Sequence, residues 1–122
     1  MLAKNQRFHG HGSLKYVFTK GRSYHGPIAS LRVTPNSRRS ESRAAVVVSK
    51  KVHKSAAGRN RIRRRIYEII RHELPKTLPK HDIVIIVSSA DVRMLPATDV
   101  YIAVHRLFDD AGLYQKPAHL VQ

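Results

Sequence analysis

The chain is expected to adopt an α+β fold, an α/β sandwich of one sheet against helices. Three observations predict this. Ile28–Thr34 and Arg43–Lys51 alternate with the period of a strand, and Asp82–Ser88 carries a solid aliphatic run, Ile83-Val84-Ile85-Ile86-Val87. Between them, Ile62, Ile66, Ile69 and Ile70 recur at helical spacing. The resulting order is helix, two or three strands, basic helix, strand, helix, with no repeat period. With 122 residues, 42% of them hydrophobic, the simplest organisation is one domain over 1–122, able to bury a core without staples.

Taken in order, residues 1–12 read as a loose basic arm ending His9-Gly10-His11-Gly12. Ser13 is placed to cap a short helix with Leu14, Val17 and Phe18 on one face and Gly21 as its stop. A short strand at Arg22–His25 precedes a break at Gly26-Pro27. In Ile28–Thr34, Ala29, Leu31 and Val33 point one way, and Ser30, Arg32 and Thr34 the other. Pro35 to Ser40 is a turn or a mobile loop, and Arg38 and Arg39 there either touch phosphate or are simply solvated. In Arg43–Lys51, Ala44, Val46 and Val48 share one face, and Ala45, Val47, Ser49 and Lys51 the other. A helix runs from near Ser55 to Glu73 or Leu74, where Pro75 stops it. After the Asp82–Ser88 strand, Thr98 or Asp99 caps a last helix carrying Val100, Val104, Leu107 and Phe108 and ended by Gly112. Residues 113–122 are expected to be a loose tail. Because the first helix is short, the sheet face bearing Arg32, Ser49 and Lys51 is expected to stay at least partly open.

The central helix concentrates the chemistry. Five of the seven residues from Arg59 to Arg65 are arginine, and a guanidinium fork donates two parallel hydrogen bonds to two phosphate oxygens. On the helical wheel Asn60, Arg64, Tyr67 and Arg71 lie opposite the isoleucines. Arg59 and Arg63 flank one side of the stripe, Arg61 and Arg65 the other. Lys50-Lys51 precedes this helix. Across the chain 23 Lys and Arg face 8 acidic residues, a formal charge of +15, with a pI near 11.0. Such a charge repels itself, so a polyanionic partner is the economical reading.

Other classes fit less well. Without cysteine there is no disulfide framework or thiolate site, which is compatible with a reducing cytoplasm. The N-terminus has no apolar segment of the signal-peptide kind, and the apolar runs are too short to span a bilayer. His9 and His11 form a metal-like pair without cysteine or a partnered carboxylate, so no metal ligand set is assigned. The acidic residues show no convergent spacing for a two-metal nuclease, and no catalytic residue is assigned.

Val48-Ser49-Lys50-Lys51, a seven-residue gap and Arg59-Asn60-Arg61-Ile62-Arg63-Arg64 closely resemble the protein subunit of bacterial ribonuclease P. There a strand ending in Lys-Lys leads into a helix bearing an Arg-Asn-Arg motif. Leu14–Gly21 looks like that family's first helix, Asp82-Ile83-Val84-Ile85 like its late strand, and the Leu107-Phe108 helix like its last. The likeness runs from about Arg7 to Leu113.

The resemblance implies an α-β-β-β-α-β-α order. It also implies a mostly antiparallel sheet with a left-handed βαβ crossover, the ribosomal protein S5 domain 2-like arrangement, although right-handed crossovers dominate generally. It further implies a cytoplasmic protein component of ribonuclease P whose partners are the catalytic RNA subunit and precursor tRNA, with no membrane and no obligate protein partner. The RNA subunit, with magnesium, would remove the 5′ leader. By position Arg59, Asn60, Arg61, Arg63, Arg64 and Lys50 would meet the catalytic RNA, and Phe18, Ser23, Arg32, Val47 and Lys51 the leader. Leu14 stands where an aromatic is frequent and Arg32 where one can occur, which favours backbone contact over base stacking. Arg63 replaces a common lysine. The alternative reading is a ribosomal or other structured-RNA binder with no associated catalysis.

Overall fold

The computed structural model describes residues 6–8 and 11–115. Its elements are α1 (His11–Lys20), β1 (Arg22–His25), β2 (Ala29–Pro35), β3 (Arg43–Val47), α2 (Ala56–Glu73), β4 (His81–Val87) and α3 (Ala97–Asp110), with 3-10 turns at Leu74–Lys76 and Ala90–Arg93. The four strands form one mixed sheet in the order β1-β2-β4-β3. β2 pairs antiparallel with β1 and β4, while β3 runs parallel to β4. A parallel pair needs a crossover, and α2 supplies it.

Strand alternation divides the sheet into two faces. Leu31 pairs with Ile85, which pairs with Val46; Val33 pairs with Ile83, which pairs with Ala44. These side chains share one face and are buried with Ile62, Ile66 and Ile70 of α2 and Val100, Val104, Leu107 and Phe108 of α3. Burying such side chains stabilises the fold by roughly 1.5–3 kcal/mol each before chain entropy is set against it. The opposite face carries a smaller cluster of Ala45 and Val84 with Val17 of α1 and Phe8.

Several boundaries differ from the sequence expectation. β3 ends at Val47, not Lys51, because the Ser49 carbonyl accepts the amides of Val52 and His53 at 3.1 and 3.3 Å and turns the chain. α1 begins at His11, ahead of Ser13. α3 is capped by Pro96, whose carbonyl accepts from Asp99 and Val100, so neither Thr98 nor Asp99 is its cap. Within the arm expected to be loose, Phe8 is buried and its ring lies 4.9 Å from the Arg43 guanidinium carbon, while Arg7 bridges to Ala44. At the other end Leu113 is buried and Tyr114 bridges to Thr77, so the chain is still packed through the start of the expected tail.

Two helix ends match their sequence signals. The Ser55 hydroxyl caps α2 by accepting from the Gly58 amide at 2.9 Å. Gly112 ends α3 at φ 68°, where its amide reaches Asp109 and that of Leu113 reaches Phe108, the paired hydrogen bonds of a Schellman turn. β3 is an edge strand, and the outward amide of Val46 donates to the Tyr67 hydroxyl at 3.1 Å. Tyr67 is therefore half-buried against the sheet edge, not opposite the core as the helical wheel placed it.

Candidate nucleic-acid interface

The corner that launches α2 is tightly built. A Cβ on Gly58 would come within 2.2 Å of the His53 ring, so only glycine lets that ring lie across the first turn. Arg59 donates to the carbonyls of His53 and Lys54 at 3.0 and 2.8 Å. Lys50 and Lys51 lie on the preceding turn, both exposed. Lys51 was expected on the β3 face with Val47, but the end of the strand at Val47 leaves it beyond the sheet.

The α2 arginines separate by what they hold. Arg65 is committed to the fold, its two terminal nitrogens donating to the Val92 and Leu95 carbonyls at 2.5 and 2.6 Å. That bond pair ties the segment after β4 to α2. Arg63 donates to the Asn60 side-chain oxygen, which gives Asn60 a local partner. Arg61 and Arg64 are exposed and make no hydrogen bond or ion pair among the described residues. They lie three residues apart, on adjacent positions of one helix surface. With Asn60, Arg63 and Tyr67 they border a shallow depression of about 430 Å³.

The sheet face under α1 is half covered. Val17 is fully buried there, but Val47, Ile86 and Leu14 are only partly so. Arg32 donates to the Phe18 carbonyl, and its guanidinium carbon stands 5.7 Å from the centre of the Phe18 ring, which is 37% exposed. Ser23 is the cross-strand partner of Arg32. The next row reads His25, Ser30, Ile86, Val47 across all four strands, and the His25 ring meets the Ser30 hydroxyl at 3.3 Å. Thus Ser23, Arg32 and Val47 share the sheet face that α1 half covers, and Phe18 meets that face through Arg32. His25, Ser30 and Ile86 belong to it as well. Alternation in β2 already put Ser30 with Arg32, whereas His25 and Ile86 needed the register.

Three carboxylates are engaged by structural partners. Asp82 accepts from Arg43 through both oxygens and from Asn36. Glu68, on the exposed surface, is paired with Arg71 at 2.6 Å, which lowers its pKa. Glu73 is buried at the end of α2 and faces Lys76 at 3.1 Å, the hydroxyls of Tyr114 and Tyr101 at 2.9 and 3.3 Å, and the His105 ring at 3.4 Å. Burial pushes its carboxyl up, but the hydrogen bonds from Lys76, Tyr114 and His105 outweigh that and hold it below the usual range. Desolvation and the Glu73 charge together push the Tyr114 hydroxyl well above its ordinary value. Among the described residues no three His, Asp or Glu side chains group as metal ligands. His9 lies outside those residues. No described helix is long and apolar enough to cross a membrane.

A mixed four-stranded sheet with one half-covered face and an exposed arginine ridge on its crossover helix, on a chain of net charge +15, defines a small basic α+β protein suited to a polyanion. The comparisons make that class specific. The family model for ribonuclease P matches residues 2–112. The ribonuclease P protein component of Roseiflexus castenholzii is 35% identical over 78% of this chain and 76% of its own length. That of Synechocystis is 34% identical over 70% and 69%. The fold matches the solved Staphylococcus aureus RNase P protein with a TM-score of 0.80 at 20% identity, covering 90% of this chain and 98% of that one. The Thermotoga maritima protein gives 0.76 at 21%, over 85% and 96%. The chain belongs to the ribonuclease P protein family.

Proposed function

We propose that the chain works as the non-catalytic protein subunit of a cytoplasmic ribonucleoprotein that removes the 5′ leader from precursor tRNA. In this reading the phosphodiester is hydrolysed on the RNA subunit, and the chain binds that RNA and the leader. The observation that carries it is the division among the α2 arginines. Arg65 and, in part, Arg59 are spent on the fold, while Arg61 and Arg64 stand exposed with their forks unengaged. Arg63, Asn60 and Lys50 complete that surface. Phe18, Ser23, Arg32 and Val47 hold the leader in the cleft, and Lys51 extends the positive potential beside it.

The mechanism is electrostatic. Each phosphate neutralised releases condensed counterions, so the log of affinity falls against the log of salt by roughly 0.7–0.9 per contact. Bringing a charge of +15 between two RNAs lowers their mutual repulsion, and less magnesium is then needed for docking and cleavage. Asp82, Glu73 and Glu68 do not fit a magnesium centre, since each is occupied by cationic or hydroxyl donors, and among the described residues no three acidic or histidine side chains group as ligands. Magnesium is therefore assigned to the RNA. The test is precursor-tRNA cleavage with and without the chain and the catalytic RNA, across a magnesium titration. The expected result is no cleavage by the chain alone and a several-fold lower magnesium midpoint when both are present. An unchanged midpoint, or cleavage by the chain alone, refutes it.

A further inference from the structure

A second depression lies on the other side of the Arg61–Arg64 ridge, between α2 and α3. Its volume is about 520 Å³, and its walls are Arg61, Arg64, Arg65, Ile69, Ala97 and Val100, with Glu68 at one end. That volume falls in the ordinary range of small-ligand sites, roughly 300–1,000 Å³. Its floor is apolar. Ile69, although spaced with the core isoleucines, is only partly buried, because one side of it opens here. Its wall is preformed, since Arg65 is pinned by the Val92 and Leu95 carbonyls. Its rim holds the two unengaged arginines, and the negative charge of Glu68 is already met by Arg71. Pro96 gives α3 no side-chain cap, so the positive end of that helix also borders the groove.

We propose that this groove receives one unstacked nucleotide of the folded RNA partner, its base on Ile69 and Ala97 and its flanking phosphates on Arg61 and Arg64. The inference rests on the proposed function, which supplies the RNA. Charge chooses the occupant. A second copy of this chain carries the same +15 and is repelled, whereas a nucleotide offers an apolar face and anionic edges together. Folded RNAs are commonly read through bases displaced from their helices.

The test measures binding of the catalytic RNA to the full chain and to four variants, with chemical methylation of the RNA's Watson–Crick edges as second readout. Arg61→Ala/Arg64→Ala removes the phosphate grip. Ala97→Trp fills the groove without changing charge, and Ala97→Glu, at the exposed first position of α3, adds a repelling charge that a helix start tolerates. Ile102→Trp, on the exposed opposite side of α3, is the control. Circular dichroism confirms folding of each. The expected result is a fall of about tenfold or more for both Ala97 variants, none for Ile102→Trp, and one RNA position protected by the native chain but exposed with Ala97→Trp. Native-like binding by Ala97→Trp, or a loss with Ala97→Glu alone, overturns the groove while leaving the proposed function intact. Failure of the native chain to bind the catalytic RNA overturns both.

Discussion

The two faces of the sheet come from the same strands in strict alternation, yet they are finished differently. One face is closed by two helices over Leu31, Val46, Ile66, Ile85 and Phe108, all buried. The other is closed only beneath α1, by Phe8, Val17, Ala45 and Val84, and then opens into the row His25, Ser30, Ile86, Val47. The difference separates the face that holds the fold together from the surfaces proposed for binding. The aliphatic face is satisfied within the chain, whereas Arg61 and Arg64 on the outer surface of α2 have no partner among the described residues. α2 belongs to both, with isoleucines turned inward and Arg61 and Arg64 outward.

This contrast can be broken most forcefully on the closed face. Ile66→Ala leaves a cavity where the sheet meets α2, and the expected loss is about 2–5 kcal/mol of unfolding free energy, measured by urea denaturation. RNA affinity of the fraction that remains folded should be close to native; a specific loss of RNA binding without loss of stability would contradict the separation. A smaller effect belongs to the hub at the end of α2. Glu73→Gln replaces an acceptor of several donors by a half-donor, at a cost of roughly 1–3 kcal/mol. Because the folded carboxyl lies below its ordinary value of 4.5, its contribution is fully present above about pH 4.5 and is lost as pH falls through the lower folded value. Thermal melts from pH 6 down to 3 should therefore show the gap between native and Glu73→Gln narrowing with acid; a constant gap would remove the carboxylate from the account. The mildest change lies in the open cleft. Phe18→Ala should leave stability nearly native and weaken leader-bearing precursor tRNA by several-fold, consistent with about 1 kcal/mol of stacking or cation–π contact, while leaderless tRNA is unaffected. Equal losses for both substrates would detach the cleft from the leader.

Much of the closed face was legible from sequence, since period-two alternation in β2 and β3 and period-3.6 spacing in α2 both follow from burying one side of a regular element. The helix stops at Gly21 and Gly112 were legible for the same local reason. What escaped depends on distant partners. Phe8 went unread within the arm expected to be loose, because its burial is supplied by Ala45, Val84 and Arg43, far along the chain. Arg65 looked like its neighbours, and only the carbonyls of Val92 and Leu95, placed by the turn after β4, make it structural. Glu73 read as the polar end of a helix, but Tyr101, His105 and Tyr114 fold over it from α3 and beyond. Of the cleft, Arg32 and Val47 could be set on one face by alternation, whereas the contribution of β1 required the pairing of Ser23 with Arg32.

The Tyr67 hydroxyl on the Val46 amide has a consequence for solution behaviour. β3 borders the sheet, and an edge strand with unfilled amides is a template on which another polypeptide can add a strand. Here the outward positions Ala44 and Val46 are met by Arg7 and by Tyr67. The chain thus occupies its own β-edge from within, a guard against strand addition that holds even when nucleic acid or salt cancels the mutual repulsion of its surface charges.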